Sequence, residues 1–375
     1  MRWGTYFAVL AAILSVGLAL GVSMPLVSLR LEGWGYGAFA IGVMAGMPAI
    51  GVLAGASIAS RLASHWGTAV LMRRCLWLGA CSVGLLALLP YYPIWLGLRL
   101  LLGVVLTIVF ILGESWINQV VVEQWRGRLV ALYGTGYALS QLAGPLLLGL
   151  LGTEGDEGFW LGVALMALSP FLLFGRGGAP SAAAGHVSFG DLARFCARMP
   201  VIAWAISLFA AFEALILTLL PVYCLQQGFS AEVALYMVSA VVVGDAVLQL
   251  PIGMLADRLS RRGLFIGCAV TLLVSSLAIP LLLQTPLIWP LWVLFGASAG
   301  GLFTLSLVLI GERYRDDALV RANAHVAQLW GIGCLIGPLA AGAGSQWVNG
   351  HALLWLMAAG ALVLVWLARK PGALP

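Results

Sequence analysis

Three ionisable side chains lie inside otherwise apolar stretches of the sequence: Arg99, Glu213 and Asp245. A charge at the centre of a membrane helix costs about 2.5–3.5 kcal/mol on insertion scales, which favours a functional interpretation of such residues. A carboxyl avoids much of that cost by taking up a proton, so Glu213 and Asp245 are candidate proton carriers. Gln249 follows Asp245 by one helical turn on the same face and can hydrogen-bond it. Arg99 is a candidate to hold a substrate carboxylate or to lower the pKa of a nearby acid. The alternative for all three is a structural hydrogen bond between helices.

A second group of charges lies between apolar stretches, in the segment GMLADRLSRR, Gly253 to Arg262. The segment from Gly55 to Ser64, GASIASRLAS, is a weaker copy of this motif. Its Ser60-Arg61 corresponds to Asp257-Arg258, so a serine replaces the acid. An acid beside a helix start gains about 0.3–1 kcal/mol from the helix dipole. Ser60 can cap such a start by hydrogen bonding, but it adds no charge. The arginines alone are also explained as charges that orient the chain in a membrane.

Polar and aromatic side chains recur along two further apolar stretches. They are Tyr133, Tyr137 and Gln141, spaced four residues apart, and Arg321, His325 and Gln328 on one face, with Trp330 beside them. These side chains could line a pocket for a small organic molecule of aromatic or amphipathic character. Helix packing and hydrogen bonds between helices explain them equally well.

The composition places these residues in a membrane. Apolar residues make up 62% of the chain and charged residues 9%, against about 45–50% and about 25% in soluble domains. The apolar runs are long rather than alternating, which predicts an all-α membrane protein, because helices satisfy their own backbone polar groups in lipid. Runs of about 20 residues cross a hydrocarbon core. We count twelve: residues 4–29, 37–60, 71–90, 93–114, 129–151, 158–175, 199–224, 231–256, 264–283, 287–311, 321–345 and 351–368.

The basic residues predict an orientation. With a cytoplasmic N-terminus, all of the 19 Arg and Lys except Arg30 and Arg99 fall at cytoplasmic ends of these spans. This positive-inside asymmetry predicts that both termini are cytoplasmic. The preference for arginine over lysine is associated with GC-rich bacterial genomes. We therefore expect a multi-pass protein of the bacterial cytoplasmic (inner) membrane, surrounded by lipid.

The chain also repeats itself. Several residues return 198 positions later: Gly55, Gly103 and Gly113-Glu114 as Gly253, Gly301 and Gly311-Glu312. Matches that keep their order predict two six-helix halves with parallel topology, a mark of secondary transporters. The predicted division is an N-terminal bundle over residues 1–175, a cytoplasmic connector over 176–198, and a C-terminal bundle over 199–375.

These motifs together resemble the major facilitator superfamily. The resemblance rests on the two six-helix halves, G-x-L-A-D-R-x-x-R-R after span 8 with its echo after span 2, Arg99-x-x-x-Gly103 in span 4, and the Gly-Pro pairs of spans 5 and 11. It implies a transporter that alternates its access between the two sides of the membrane. The ending GESW of span 4 is also similar to a group of small bacterial facilitator proteins. That likeness names no substrate.

The resemblance also implies a cytoplasmic gate. Asp257 would face the start of span 5 near Arg128 and Val130, and Arg258 or Arg261 would pair with Glu312. In the first half, Arg61, Arg73 or Arg74 would pair with Glu114. Gly55 and Gly253 begin the two copies of the gate motif.

Other functions find little support in the sequence. There is no nucleotide-binding loop, dinucleotide fingerprint or clustered set of metal ligands, so we expect no cofactor, no metal and no enzymatic reaction. The six cysteines show no metal or redox spacing. We expect a monomer with a small-molecule substrate, no nucleic-acid partner, and energy from a proton gradient. Proton-coupled uptake, proton-antiport efflux of amphipathic or drug-like compounds, and a receptor that keeps the transporter fold without flux remain open.

Overall fold

The computed structural model describes residues 2–175, 189–256, 259–314 and 316–370, and it is all-helical over these residues. Asp257 and Arg258 of the predicted gate lie outside them. The first six helices are α1 Trp3–Gly33, α2 Ala38–Trp66, α3 Thr68–Leu88, α4 Tyr92–Val120, α5 Glu123–Leu151 and α6 Glu157–Leu172. The remaining helices are α7 Phe189–Arg198, α8 Pro200–Gln226, α9 Ala231–Ala256, α10 Arg261–Leu282, α11 Ile288–Arg313, α12 Asp316–Trp347 and α13 Ala352–Arg369.

Each predicted apolar run coincides with one of these helices, and predicted spans 7–12 correspond to α8–α13. Within the described residues, ten helices are long and apolar enough to cross a membrane. Those ten confirm a multi-pass, all-α membrane protein. α6 has 16 residues and is shorter than these ten. A total of twelve crossings and the cytoplasmic position of both termini stay predictions.

The chain divides into two compact units. Unit 1 comprises Met1–Arg30 with Met47–Ala184, and unit 2 comprises Leu31–Gly46 with Gly185–Pro375. The first part of α2 therefore belongs to unit 2, where Gln346 of α12 accepts a hydrogen bond from the backbone N–H of Phe39 at 3.0 Å. The simple division predicted from the repeat, at residues 175 and 199, does not separate α2 in this way.

Helices in unit 1 meet at glycines because any side chain there would collide with a neighbouring backbone. A Cβ on Gly103 of α4 would strike the carbonyl of Pro48 in α2. Gly144 of α5 lies directly against Gly21 of α1 in the same way. The Gly-Pro and R-x-x-x-G motifs therefore mark close helix crossings.

Helices in unit 2 also meet at glycines. A Cβ on Gly244 of α9 would strike the carbonyl of Val293, and one on Gly296 of α11 would strike that of Val241. α8 and α12 approach each other at Gly333, which lies against the backbone of Ser207. These crossings bring α8, α9, α11 and α12 close enough for their interior side chains to meet.

The predicted connector contains a helix that we did not expect. α7 is short and strongly amphipathic. Its apolar side chains Leu192 and Phe195, followed by Met199, are buried, whereas Arg194 is exposed and pairs with Asp191 at 2.6 Å. This face packs on α8 and α12. Residues 176–188 lie outside the described part of the chain.

Candidate functional site

Glu213 and Asp245 lie close together in the interior of unit 2. Glu213 is near the middle of α8 and Asp245 near the middle of α9, and Asp245 lies within electrostatic reach of Glu213. The Glu213 carboxyl is deeply buried, although part of the residue is still reachable by water. Cys334 of α12 also lies within electrostatic reach of Glu213. Its thiol donates to the Ala210 carbonyl at 3.4 Å. Three helices therefore surround one carboxyl.

Asp245 has the partner expected from the sequence. The Gln249 side-chain amide donates to its Oδ1 at 2.7 Å, which confirms the predicted hydrogen bond. The carboxyl lies directly against Gly300 of α11, where a Cβ would collide with Oδ1 and would lie 2.9 Å from the Gln249 nitrogen. The absence of a side chain at Gly300 therefore leaves room on α11 for the Asp245 carboxyl.

An aromatic cluster lies beside the two acids. The rings of Phe209 and Phe303 are stacked, with centroids 4.6 Å apart. Trp330 meets both rings edge-on, at 5.4 Å from Phe209 and 5.3 Å from Phe303. We define these three residues as the aromatic cluster. Only Trp330 was singled out in the sequence.

The acids and the aromatic cluster form two layers across the same four helices. The acid layer comprises Glu213, Asp245, Gly300 and Cys334, and the aromatic layer comprises Phe209, Gln249, Phe303 and Trp330. Phe209 precedes Glu213 by one turn on α8, and Trp330 precedes Cys334 by one turn on α12. On α9 and α11, which run the other way, Gln249 follows Asp245 and Phe303 follows Gly300. Because side chains one turn apart share a helix face, the aromatic layer lies next to the acid layer. It is on the side of the Arg261 end of α10.

The interior of unit 2 offers these acids no basic partner. The sequence contains no Lys, Arg or His between Met199 and Ala256, none between Gly263 and Glu312, and one histidine, His325, between Ala322 and Gly350. No ion pair or hydrogen bond to Glu213 occurs among the residues that the structure describes. Burial without a countercharge favours the protonated form of a carboxyl unless water or a cation reaches it.

Arg99 is placed differently from the two acids. It lies on α4 in unit 1 and is 1% exposed. Neither its Nε nor its Nη1 has a hydrogen-bond partner in the described part of the chain. A side chain so enclosed has no open route to a substrate carboxylate in this conformation. The two nitrogens without partners are buried at a cost in free energy.

The other predicted cavity residues fall into separate places. In unit 1, Tyr133 lies within electrostatic reach of Glu114. Tyr137 packs edge-on against Phe110 at 5.0 Å, and the backbone of Gln141 contacts Gly21 of α1. The structure therefore places this polar stripe of α5 partly in helix contacts.

His325 and Gln328 lie at the α7 end of unit 2. Their side chains hydrogen-bond to each other at 3.0 Å, and the Phe195 ring of α7 packs against the His325 ring, with centroids 5.2 Å apart and the planes tilted by 32°. His325 is buried. His325 therefore belongs to the surface on which α7 packs and not to the acid layer. The spacing of Arg321, His325 and Gln328 in the sequence did not distinguish these two locations.

One of the contacts predicted for the gate is present. Arg261 pairs with Glu312, which confirms that expectation. In the first half, no arginine whose side chain the structure describes pairs with Glu114. Arg73 lies over the Phe174 ring at 4.3 Å and Arg74 over the Trp66 ring at 4.7 Å, so both are engaged with aromatic side chains instead.

The remaining gate residues differ between the halves. Gly55 is needed for close contact, because a Cβ there would lie 2.6 Å from the Val104 carbonyl. Gly253 has room for a Cβ, whose nearest neighbour would be Thr304 at 3.9 Å. Arg61 is exposed. The side chains of Arg128 and Val130 lie outside the described residues.

Comparison with known proteins gives one consistent answer. The sequence pattern of the Major Facilitator Superfamily matches residues 9–244 and 228–374. The chain is 26% identical over 367 residues to a Yersinia enterocolitica protein named Uncharacterized MFS-type transporter YE1530, covering 96% of this chain and 94% of that one. It is similar in fold to the nucleoside transporter NupG, with a TM-score of 0.74, 16% identity and coverage of 98% of each chain. It is also similar to a D-xylose-proton symporter, with a TM-score of 0.76, 15% identity and coverage of 99% and 98%.

Proposed function

The chain belongs to the major facilitator superfamily, a family of secondary transporters, and on that premise we propose that it couples the movement of a small organic solute to protons. The observation that carries this proposal is the pair of buried carboxyls, Glu213 and Asp245, without a basic partner in the interior of unit 2. The comparisons support transport itself. The solute and the coupling ion are our inference.

The physical basis is the cost of a buried charge. A protonated carboxyl is neutral and tolerates a closed, dry interior, whereas an ionised one requires water or a cation. A cycle that exposes Glu213 to one side of the membrane and then to the other lets it take up a proton on one side and release it on the other. Solute movement is coupled to the proton gradient when only one of the two protonation states of Glu213 permits the site to switch from one side of the membrane to the other.

The charged residues at the Arg261 end of unit 2 support a gate. The pair between Arg261 and Glu312 joins the start of α10 to the end of α11. Both side chains are partly exposed, at 33% and 41%, and an ion pair of this kind contributes only about 0–1 kcal/mol. We propose that it steadies a reversible closure on the cytoplasmic side, together with Asp257.

A flux assay tests the proposed function. Purified protein is reconstituted into liposomes that contain a pH-sensitive dye, and solutes are screened first by thermal stabilisation and then by flux under an imposed pH gradient. We expect at least one stabilising solute to move with, or against, a measurable proton flux. Binding without flux at any pH gradient would instead establish a receptor.

A further inference from the structure

We propose that the acid layer and the aromatic cluster of unit 2 form the binding site for an amphipathic organic cation. The ammonium or phosphonium centre would lie at Glu213 and Asp245, and the apolar body against Phe303 and Trp330. This inference rests on the proposed transport function and names the class of solute.

The first argument is charge. The Glu213 carboxyl is deeply buried, has no hydrogen-bond partner among the described residues, and is near a second acid. Two like charges in one interior raise the cost of ionisation, and a cation placed between them removes it. An anion would meet repulsion from both groups. A neutral solute can hydrogen-bond to a carboxyl but does not offset its charge.

The second argument is the aromatic cluster. The faces of Trp and Phe rings attract cations, most strongly when water is excluded, and their area also buries an apolar body. Phe209 is buried, whereas Phe303 and Trp330 keep partly accessible surfaces. These two rings are therefore the surfaces available to a solute. The buried Phe209 ring packs against both of them, stacked on Phe303 at 4.6 Å and in edge contact with Trp330 at 5.4 Å between centroids.

The third argument is the arrangement of the two layers. On α8 the acid Glu213 and the ring of Phe209 lie one turn apart on the same face, and a turn rises about 5.4 Å. The other two rings lie one turn from Gly300 on α11, which contacts Asp245, and from Cys334 on α12, which lies within electrostatic reach of Glu213. This separation is comparable to the distance between a charged centre and the middle of an attached ring system. Gln249 lies in the aromatic layer and donates to Asp245, so it fixes one acid and leaves Glu213 available to the cation.

Equilibrium binding to purified, detergent-solubilised protein tests the proposal with ions of matched shape. The probes are tetraphenylphosphonium and ethidium, both cationic, and tetraphenylborate, an anion with nearly the shape of the phosphonium. We expect saturable binding of at least one cation and none of tetraphenylborate. Equal binding of phosphonium and borate, or saturable binding of neither cation, would overturn the assignment.

Variants assign the binding to this site. We expect Glu213→Gln to weaken cation binding at least about tenfold, as for loss of a contact to a charged group. Trp330→Leu should weaken it about threefold to thirtyfold, the range of a cation–π contact. The controls are Glu232→Gln, at the exposed start of α9, and Trp355→Leu, exposed on α13; neither should change affinity. An unchanged affinity in Glu213→Gln protein that melts like wild type would place the cation elsewhere.

The outcome separates this proposal from the proposed function. If a neutral or anionic solute moves with protons while no cation binds, transport stands and the solute class is wrong. If cations bind at Glu213 but no solute of any class gives flux, the binding site stands and transport fails.

Discussion

At the scale of single residues, the two acids of unit 2 differ in how they are held. Asp245 is docked against Gly300 and receives a hydrogen bond from Gln249. Glu213 has no such partner among the described residues, so a change in its protonation state breaks no hydrogen bond of the kind that Asp245 accepts. We therefore assign proton exchange first to Glu213 and regard Asp245 as the acid that sets the electrostatic surroundings.

Replacing Glu213 by glutamine removes the ionisable group and keeps its size. We expect Glu213→Gln to abolish proton-coupled flux in proteoliposomes and to remove the pH dependence of any residual solute binding. Glu213→Asp should restore pH dependence with a reduced rate, because the shorter carboxyl still ionises. A wild-type pH profile in the glutamine variant would show that another group carries the proton.

Arg99 permits a test that separates function from stability. The Nε and Nη1 atoms of Arg99 are buried without a hydrogen-bond partner among the described residues, and an apolar side chain of similar length removes the cost of burying them. We expect Arg99→Met protein to melt no lower than wild type while its transport rate falls markedly. The matched control is Arg30→Met. Arg30 donates to the Thr153 carbonyl at 3.1 Å and pairs with Asp156 at 3.0 Å, so its loss should lower the melting temperature.

Residue types identified the acids, but not their surroundings. Glu213 and Asp245 stand out in the sequence because a carboxyl in an apolar run is rare, and their proximity then depends on helices far apart in the chain. Phe209 and Phe303 could not be selected in this way, since one aromatic residue in an apolar helix resembles any other. The spacing of four residues between Phe209 and Glu213 was the one available signal.

At the scale of helices, glycines decide which side chains meet. Gly244 and Gly296 bring the backbones of α9 and α11 together, and Gly300 then leaves room for Asp245. The repeat in the sequence pairs Gly103 with Gly301. The backbones of α9 and α11 meet instead at Gly244 and Gly296, whereas Gly301 faces the side chains of Cys268 and Ile252.

A pair of glycine substitutions measures this effect. Gly244→Ala places a methyl group against the Val293 carbonyl, and overpacking of this kind costs about 1–3 kcal/mol. We expect a lower melting temperature and weaker proton coupling. Gly267→Ala on α10 is the control, because nothing lies within 4 Å of the point where its methyl group would stand and alanine is the better helix former. Equal effects from the two changes would argue against the crossing.

The amphipathic helix α7 shows a second limit of sequence reasoning. Leu192, Phe195 and Met199 are spaced at three and four residues, which is typical of one helix face. The surrounding Gly, Ala and Ser residues gave the segment the composition of a linker. Burial of Phe195 against His325 explains why that histidine lies outside the acid layer.

At the scale of the whole molecule, composition alone was enough to predict a helical membrane protein. The order of apolar runs and the repeat led to the transporter family. The predicted orientation depends on a different signal, the distribution of arginines between the two ends of the spans.

Reporter fusions test that orientation. We expect a fluorescent protein fused after the C-terminus to fluoresce, because folding in the cytoplasm produces its chromophore. Alkaline phosphatase should be active when fused after Gly228, in the short connection between α8 and α9, and inactive when fused after the C-terminus. The reverse pattern would invert the positive-inside assignment and place the Arg261–Glu312 pair on the outer side.

The presence of two carboxyls in one layer has a consequence for the energy source of the cycle. If both must lose their protons to admit one monovalent cation, each turnover exchanges two protons for one positive charge and is electrogenic. Each net charge then gains about 2.3 kcal/mol per 100 mV of membrane potential, which is a further factor of roughly 50 in the attainable concentration ratio. If Asp245 exchanges a proton as well as Glu213, voltage alone, without a pH difference, drives the solute, and the resulting current disappears when either acid is replaced by its amide.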